Sequence, residues 1–126
     1  MREILFRGKR TVNGDWVEGN LFIPDLPNTA TQILIGTNIY RIPYDVIPST
    51  VGQYTGLTDK YGKKIFEGDI VKIKGKTRYI FYGCSSFRHT NYGEYAAELT
   101  NVNTDRDCEV IGNIHDNPEL LKGAEQ

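Results

Sequence analysis

Thirteen glycines and five prolines are spread along the 126 residues and cut the chain into short segments. Eight Tyr, five Phe and one Trp, with many Val and Ile, fill those segments. Such side chains suit a pleated, half-buried surface. The expectation is a mainly β fold of short strands joined by tight turns. The length suits one domain, or one domain with a lobe, and suffices for a real core without metal or disulfide staples.

The cleanest strand signal is Ile70 to Lys74, where Val71 and Ile73 alternate with Lys72 and Lys74. Upstream, Asp59-Lys60-Tyr61-Gly62 has the composition of a type I turn. Glu67-Gly68-Asp69 reads as a second tight turn, with the Asp69 carboxylate expected to accept backbone N–H groups. Gly75-Lys76 is expected to turn the chain into a return strand over Arg78 to Tyr82. Near the start, Asn13-Gly14 between Ile4-Leu5-Phe6 and Trp16 to Phe22 predicts a β-hairpin. Gly36-Thr37-Asn38 predicts another. Pro43 and Pro48 bracket Tyr44 to Ile47 and mark an edge segment or crossover rather than a central strand.

Residues 83–93 are small and polar and read as an exposed loop, with Phe87, Arg88, His89, Asn91 and Tyr92 as side chains of a recognition type. Tyr95 to Leu99 fits strand or helix, 101–107 a polar turn, and Glu109 to Ile114 a last strand. Asn117-Pro118-Glu119 then starts a short C-terminal helix that Gly123 stops.

Net charge is −1 and pI is about 6.1, so any basic surface has to be local. Two cysteines are too few for a disulfide framework. The opening Met1-Arg2-Glu3 is charged at once, unlike a secretion signal, and no apolar run is long enough to span a bilayer. The expectation is a cytoplasmic chain with reduced thiols and no membrane contact.

Little in the chain carries chemistry. Cys84, His89, Cys108 and His115 have spacings that fit no familiar zinc site. Asn101-x-Asn103-x-Asp105-x-Asp107 has Arg106 where a calcium loop needs Gly, and Gly112 where it needs a bidentate Glu. Glu67 and Asp69 lie within one turn, and nothing in the pattern sets them across a cleft. No metal or cofactor is expected. Positive charge gathers in Lys60, Lys63, Lys64, Lys72, Lys74, Lys76 and Arg78, with Tyr61, Tyr79 and Tyr82 close in sequence. Lys72, Lys74 and Arg78 are the candidate contacts to a nucleic-acid backbone. The plainer reading is a solvated outer hairpin face.

Three segments carry a family resemblance. The first is Arg2-Glu3-Ile4-Leu5-Phe6-Arg7-Gly8-Lys9 with Gly14-Asp15-Trp16-Val17-Glu18-Gly19. The second is Gln53-Tyr54-Thr55-Gly56-Leu57-Thr58-Asp59-Lys60-Tyr61-Gly62-Lys63-Lys64-Ile65-Phe66-Glu67-Gly68-Asp69-Ile70-Val71. The third is Glu109-Val110-Ile111-Gly112-Asn113-Ile114-His115-Asp116-Asn117-Pro118-Glu119-Leu120-Leu121. Together they resemble the YopX family of phage and prophage proteins, in order and at ordinary spacing. The resemblance implies one YopX-like domain over 1–126, with an N-terminal β lobe over 1–50 and an SH3-like barrel part over 51–126. It implies carriage on phage or prophage DNA and supplies no mechanism or site residue.

The lack of a catalytic constellation argues for a non-enzymatic binding or adaptor protein that meets a protein partner or forms a homo-oligomer. The alternative is a nucleic-acid-binding module using Lys60 to Arg78. An enzyme would need a deep pocket lined by perturbed acids or by His115.

Overall fold

The structure is a computed structural model that describes residues 3–36, 40–91 and 93–122. The chain is mainly β and divides into two compact units, Met1–Tyr54 and Thr55–Gln126.

In the first unit β1 (Phe6–Lys9) and β2 (Trp16–Phe22) form the hairpin expected from Asn13-Gly14. Gly14 N–H donates to Arg10 O at 2.9 Å, and Asp15 N–H donates to Asn13 Oδ1 at 3.0 Å. Next come β3 (Gln32–Gly36) and β4 (Arg41–Asp45), and the strand order is β4-β3-β2-β1 with the start of β5 (Gly52–Thr58) against β1. The turn expected at 37–39 lies outside the described residues. Ile33 and Val46 are fully buried here, and Gly19 lets Leu34 O approach so closely that an added Cβ would sit 2.3 Å from it. The Arg7 guanidinium lies 4.7 Å from the centre of the Trp16 ring, a cation–π stack.

β4 ends the strand order, yet its outer edge is covered where Thr11 N–H donates to Asp45 O at 3.1 Å and Ile47 N–H to Lys9 O at 2.8 Å, so the segment bracketed by Pro43 and Pro48 is an edge only over its first residues. Val46 N–H donates inward to Thr31 O at 3.0 Å. By two-residue alternation, Tyr44 and Ile42 also face β3 and Pro43 faces out. The outer edge thus lacks a donor where a foreign strand would need one.

In the second unit the latter half of β5 neighbours β6 (Lys64–Phe66). A second sheet follows from β7 (Asp69–Ile73), β8 (Lys76–Gly83), β9 (Ser86–Thr90), β10 (Ala97–Glu98) and β11 (Cys108–Asn113), in the order β10-β9-β8-β7-β11. Two four-residue helices, α1 (Thr104–Asp107) and α2 (Glu119–Lys122), complete the unit. Its core is Ile65, Val71, Ile80, Phe87, Leu99 and Cys108. Among the described residues neither strand order closes on itself, so the closure that an SH3-like barrel requires is not seen.

The glycine-rich stretch bends backbone as expected. Gly62 N–H donates to Asp59 O at 2.9 Å with φ +80°, which closes the type I turn. The Asp69 carboxylate, 1% exposed, accepts Phe66 N–H at 2.7 Å.

Four local expectations change. The turn after β7 is Lys74-Gly75, with φ +50° and +85°, a mirror-image hairpin turn, so Lys76 already belongs to β8. Residues 83–90 are not a loop: Cys84-Ser85, at φ +53° and +65°, turn β8 into β9, whereas Asn91 and Gly93 lie outside the strands and Tyr92 outside the described residues. Phe87, His89, Thr90 and Asn91 are then buried, because each polar group finds a partner, as when Asn91 Nδ2 donates to Thr77 O at 2.9 Å. The expected polar turn over 101–107 includes α1. Asn117 accepts the Asn113 N–H of β11 through Oδ1 at 3.2 Å, tying the last turn to the sheet; Gly123 lies outside the described residues.

Candidate functional site

Two surfaces stand out, and the first is a basic cleft in the second unit. Lys72 on β7 lies directly across the ladder from Glu109 on β11. The Asp59 turn brings Lys60 alongside: Lys60 N–H donates to Cys108 O at 2.9 Å, and Lys60 Nζ lies 3.9 Å from Glu109 Oε1. Lys74 from the hairpin turn and Arg106 from α1 complete a cleft of about 280 Å³ whose remaining lining is Gly75, Asp107 and Glu109. Arg106 grips Asp107 through two N–H groups, at 3.2 and 3.0 Å, and this hydrogen bonding holds the Asp107 carboxyl below its ordinary range. Four cations face two carboxylates, so the cleft is net positive on a chain of net charge −1. The ion pairs there among the described residues are Lys60–Glu109 and Arg106–Asp107, which leaves Lys72 and Lys74 outside them.

Of the three expected contact residues, Lys72 and Lys74 come together and Arg78 does not join them. Arg78 lies across the ladder from Val71, hence on the opposite sheet face from Lys72. It is 7% exposed. Its Nε–H donates to His89 Nδ1 at 3.0 Å, its Nη2 to His89 O and Tyr95 O at 3.1 Å each, and its Nη1 to Glu94. Burial lowers the His89 pKa, and the Arg78 charge lowers it further. Arg106 was missed because its sequence neighbours Asp105 and Asp107 mask it; only α1 turns it toward the β7–β8 hairpin.

The second surface is an apolar groove of about 450 Å³ in the first unit, lined by Phe22, Pro24, Leu26 and Ala30 with Asp25, Thr29, Gln32 and Asp45. Gln32 Nε2 donates to Asp45 Oδ1 at 2.9 Å, which fixes one wall. Among the described residues, eight of the eleven exposed large hydrophobic side chains belong to this unit, including Phe22, Ile23, Leu26 and Tyr40. The prolines and Asn28 gave this segment away as a loop, and nothing in its composition marked it as a wall.

Among the described residues no group of three or more His, Cys, Asp and Glu side chains is placed to hold a metal ion. Cys84 is exposed, whereas Cys108 is buried in the core. Burial, with Asp59 and Asp69 nearby, pushes the Cys108 thiol up to about 12. No helix among the described residues is long and apolar enough to cross a membrane.

The family model described as YopX protein matches residues 5–122. The crystal structure of protein EF1440 from Enterococcus faecalis is similar, with a TM-score of 0.59 and 24% identity over 96% of this chain and 99% of that one. At that identity the likeness concerns the fold. No curated protein matches the chain.

Proposed function

This chain belongs to the YopX protein family, and from that premise and its surface we propose a non-enzymatic binding or adaptor protein that grips a protein partner through the apolar groove of its first unit. The observation that carries this reading is the crowding of exposed Phe22, Ile23, Leu26, Tyr40 and Ile42 onto a unit holding under half of the residues. Contiguous exposed apolar surface rimmed by polar groups marks contact sites. Asp25 and Asp45 on the rim favour a partner segment whose apolar side chains are flanked by Lys or Arg. We read 1–126 as one YopX-like domain, its second unit an SH3-like barrel left open, supported by short antiparallel strands around one core. It is encoded by a phage or prophage and acts in the bacterial cytoplasm, where free Cys84 and Cys108 stay reduced.

The test is a photo-crosslinking residue at Thr29, used in phage-bearing cells and with purified protein. The expected result is a crosslinked product, to a partner or a second copy, lost in Phe22→Asp with Leu26→Asp while circular dichroism is unchanged. A chain that stays monomeric at every concentration and yields no product overturns the reading.

The basic cleft favours a second reading, contact with a nucleic-acid backbone through Lys72 and Lys74, helped by Lys60 and Arg106. Binding would weaken steeply with salt, and Lys72→Glu with Lys74→Glu would lower the salt slope by about 2. Absence of a mobility shift at low salt ends it.

A further inference from the structure

On the sheet face opposite Lys72, between β7, β8 and β9, a separate cavity of about 230 Å³ is lined by Ile73, Lys76, Arg78 and His89. We propose that it is a binding site for a small oxyanion, a phosphate or carboxylate group, independent of both the apolar groove and the basic cleft.

The case rests on donor geometry. Because Arg78 Nε–H donates to His89 Nδ1, that nitrogen is an acceptor and the imidazole proton sits on Nε2. Nε2–H is thus the one imidazole donor left, on a ring that borders the cavity. Four of the five Arg78 N–H groups are held by His89, Tyr95 and Glu94, so the guanidinium is fixed at the back of the site with its charge shared by Glu94, and Lys76 supplies the positive charge at the cavity. Lys76 is exposed at the mouth, directly across the ladder from Ile73, and forms no salt bridge among the described residues. No carboxylate lines the cavity. The site therefore offers donors and positive charge without an acceptor, a lining that suits an oxyanion. Size sets the ligand class: pockets for drug-sized ligands begin at roughly 300 Å³. A cavity of this size accommodates a single phosphate or carboxylate group.

Titration of ¹⁵N-labelled protein with inorganic phosphate and with acetate, at constant ionic strength against chloride, tests the proposal. The expected result is a saturable shift of the His89 side-chain and Arg78 signals, with a millimolar dissociation constant for at least one anion. Response to phosphate alone, to acetate alone or to both identifies the oxyanion. Lys76→Ala is expected to weaken binding about tenfold, Lys76→Arg to restore it, and Lys72→Ala, on the other face, to leave it unchanged. No saturable shift, shifts confined to Lys60, Lys72 and Lys74, or wild-type binding by Lys76→Ala would each overturn it.

Discussion

Asp59 joins the central turn to the last strand, and its replacement is the sharpest test of how the second unit is held. The side chain is 2% exposed. Oδ1 accepts the N–H groups of Tyr61 and Lys63 at 2.9 Å each, and Oδ2 accepts that of Val110, 51 residues away, at 2.9 Å. Tyr61 and Lys63 are exposed, so water replaces the carboxylate there at a cost of about 1 kcal/mol each. Val110 is a half-buried strand residue, and its orphaned N–H costs about 2 kcal/mol. Asp59→Ala should therefore lose about 4 kcal/mol. Asp59→Asn keeps the turn acceptor but points an amide donor at Val110 N–H, and should lose about 2 kcal/mol. With a urea slope of about 2 kcal/mol per molar, the midpoints fall by about 2 M and about 1 M. Hydrogen exchange of β7 and β11 amides reads this directly, since Trp16 belongs to the other unit. The same bonds set the pH dependence. Burial pushes the Asp59 pKa up, but the bonds from Val110, Lys63 and Tyr61 and the Lys63 charge outweigh it and hold the pKa below its ordinary 3.8. A depressed folded pKa gives stability that is complete well above 3.8 and is lost as pH falls through the native value. Asp59→Asn should flatten that acid limb. An Asn variant within about 0.5 kcal/mol of wild type would refute the reasoning, because the Val110 bond would then be worth nothing.

Three other outcomes follow from particular contacts. Gly19→Ala puts a Cβ 2.3 Å from Leu34 O and should destabilise the first unit by about 2 kcal/mol, read by Trp16 fluorescence in urea. A thiol reagent at pH 8 should label Cys84 quickly and Cys108 only on unfolding, since the latter is buried with its pKa raised to about 12; two fast thiols would contradict the core assignment. His89 has its folded pKa lowered from 6.5 by burial and Arg78, so the unfolded chain takes up the proton first. Stability should fall as pH drops below about 6.5, and His89→Gln should remove that slope in urea midpoints at pH 7.5 and 5.5.

Local turn chemistry was legible in the sequence wherever one residue type decides a conformation. Asn13-Gly14, Gly62 and the Asp69 carboxylate all act as their identities require. What could not be read locally was set by pairing across strands. Cys84-Ser85 carries no glycine or asparagine, yet adopts left-handed φ because Phe87 opposite Tyr82 returns to the core, with the two rings in edge contact at 5.0 Å. Core burial there outweighs the cost of two strained residues.

The candidate site shows the same division. Lys72, Lys74 and Arg78 look equivalent on a line of sequence, and both lysines fall in one cleft. Arg78 is separated from them by the register of one hairpin. Because the two-residue turn is Lys74-Gly75, Arg78 meets Val71 and shares its face. Had Gly75-Lys76 been the turn, Arg78 would have met Ile73, which shares the face of Val71, so only a turn one residue longer or shorter would set Arg78 beside the lysines. The buried guanidinium, its bond to His89 and the oxyanion cavity in front of it are therefore consequences of a turn of two residues. An insertion of one residue at Gly75 should disrupt that cavity and unfold the β7–β8 pairing, because every side chain on one strand would change face.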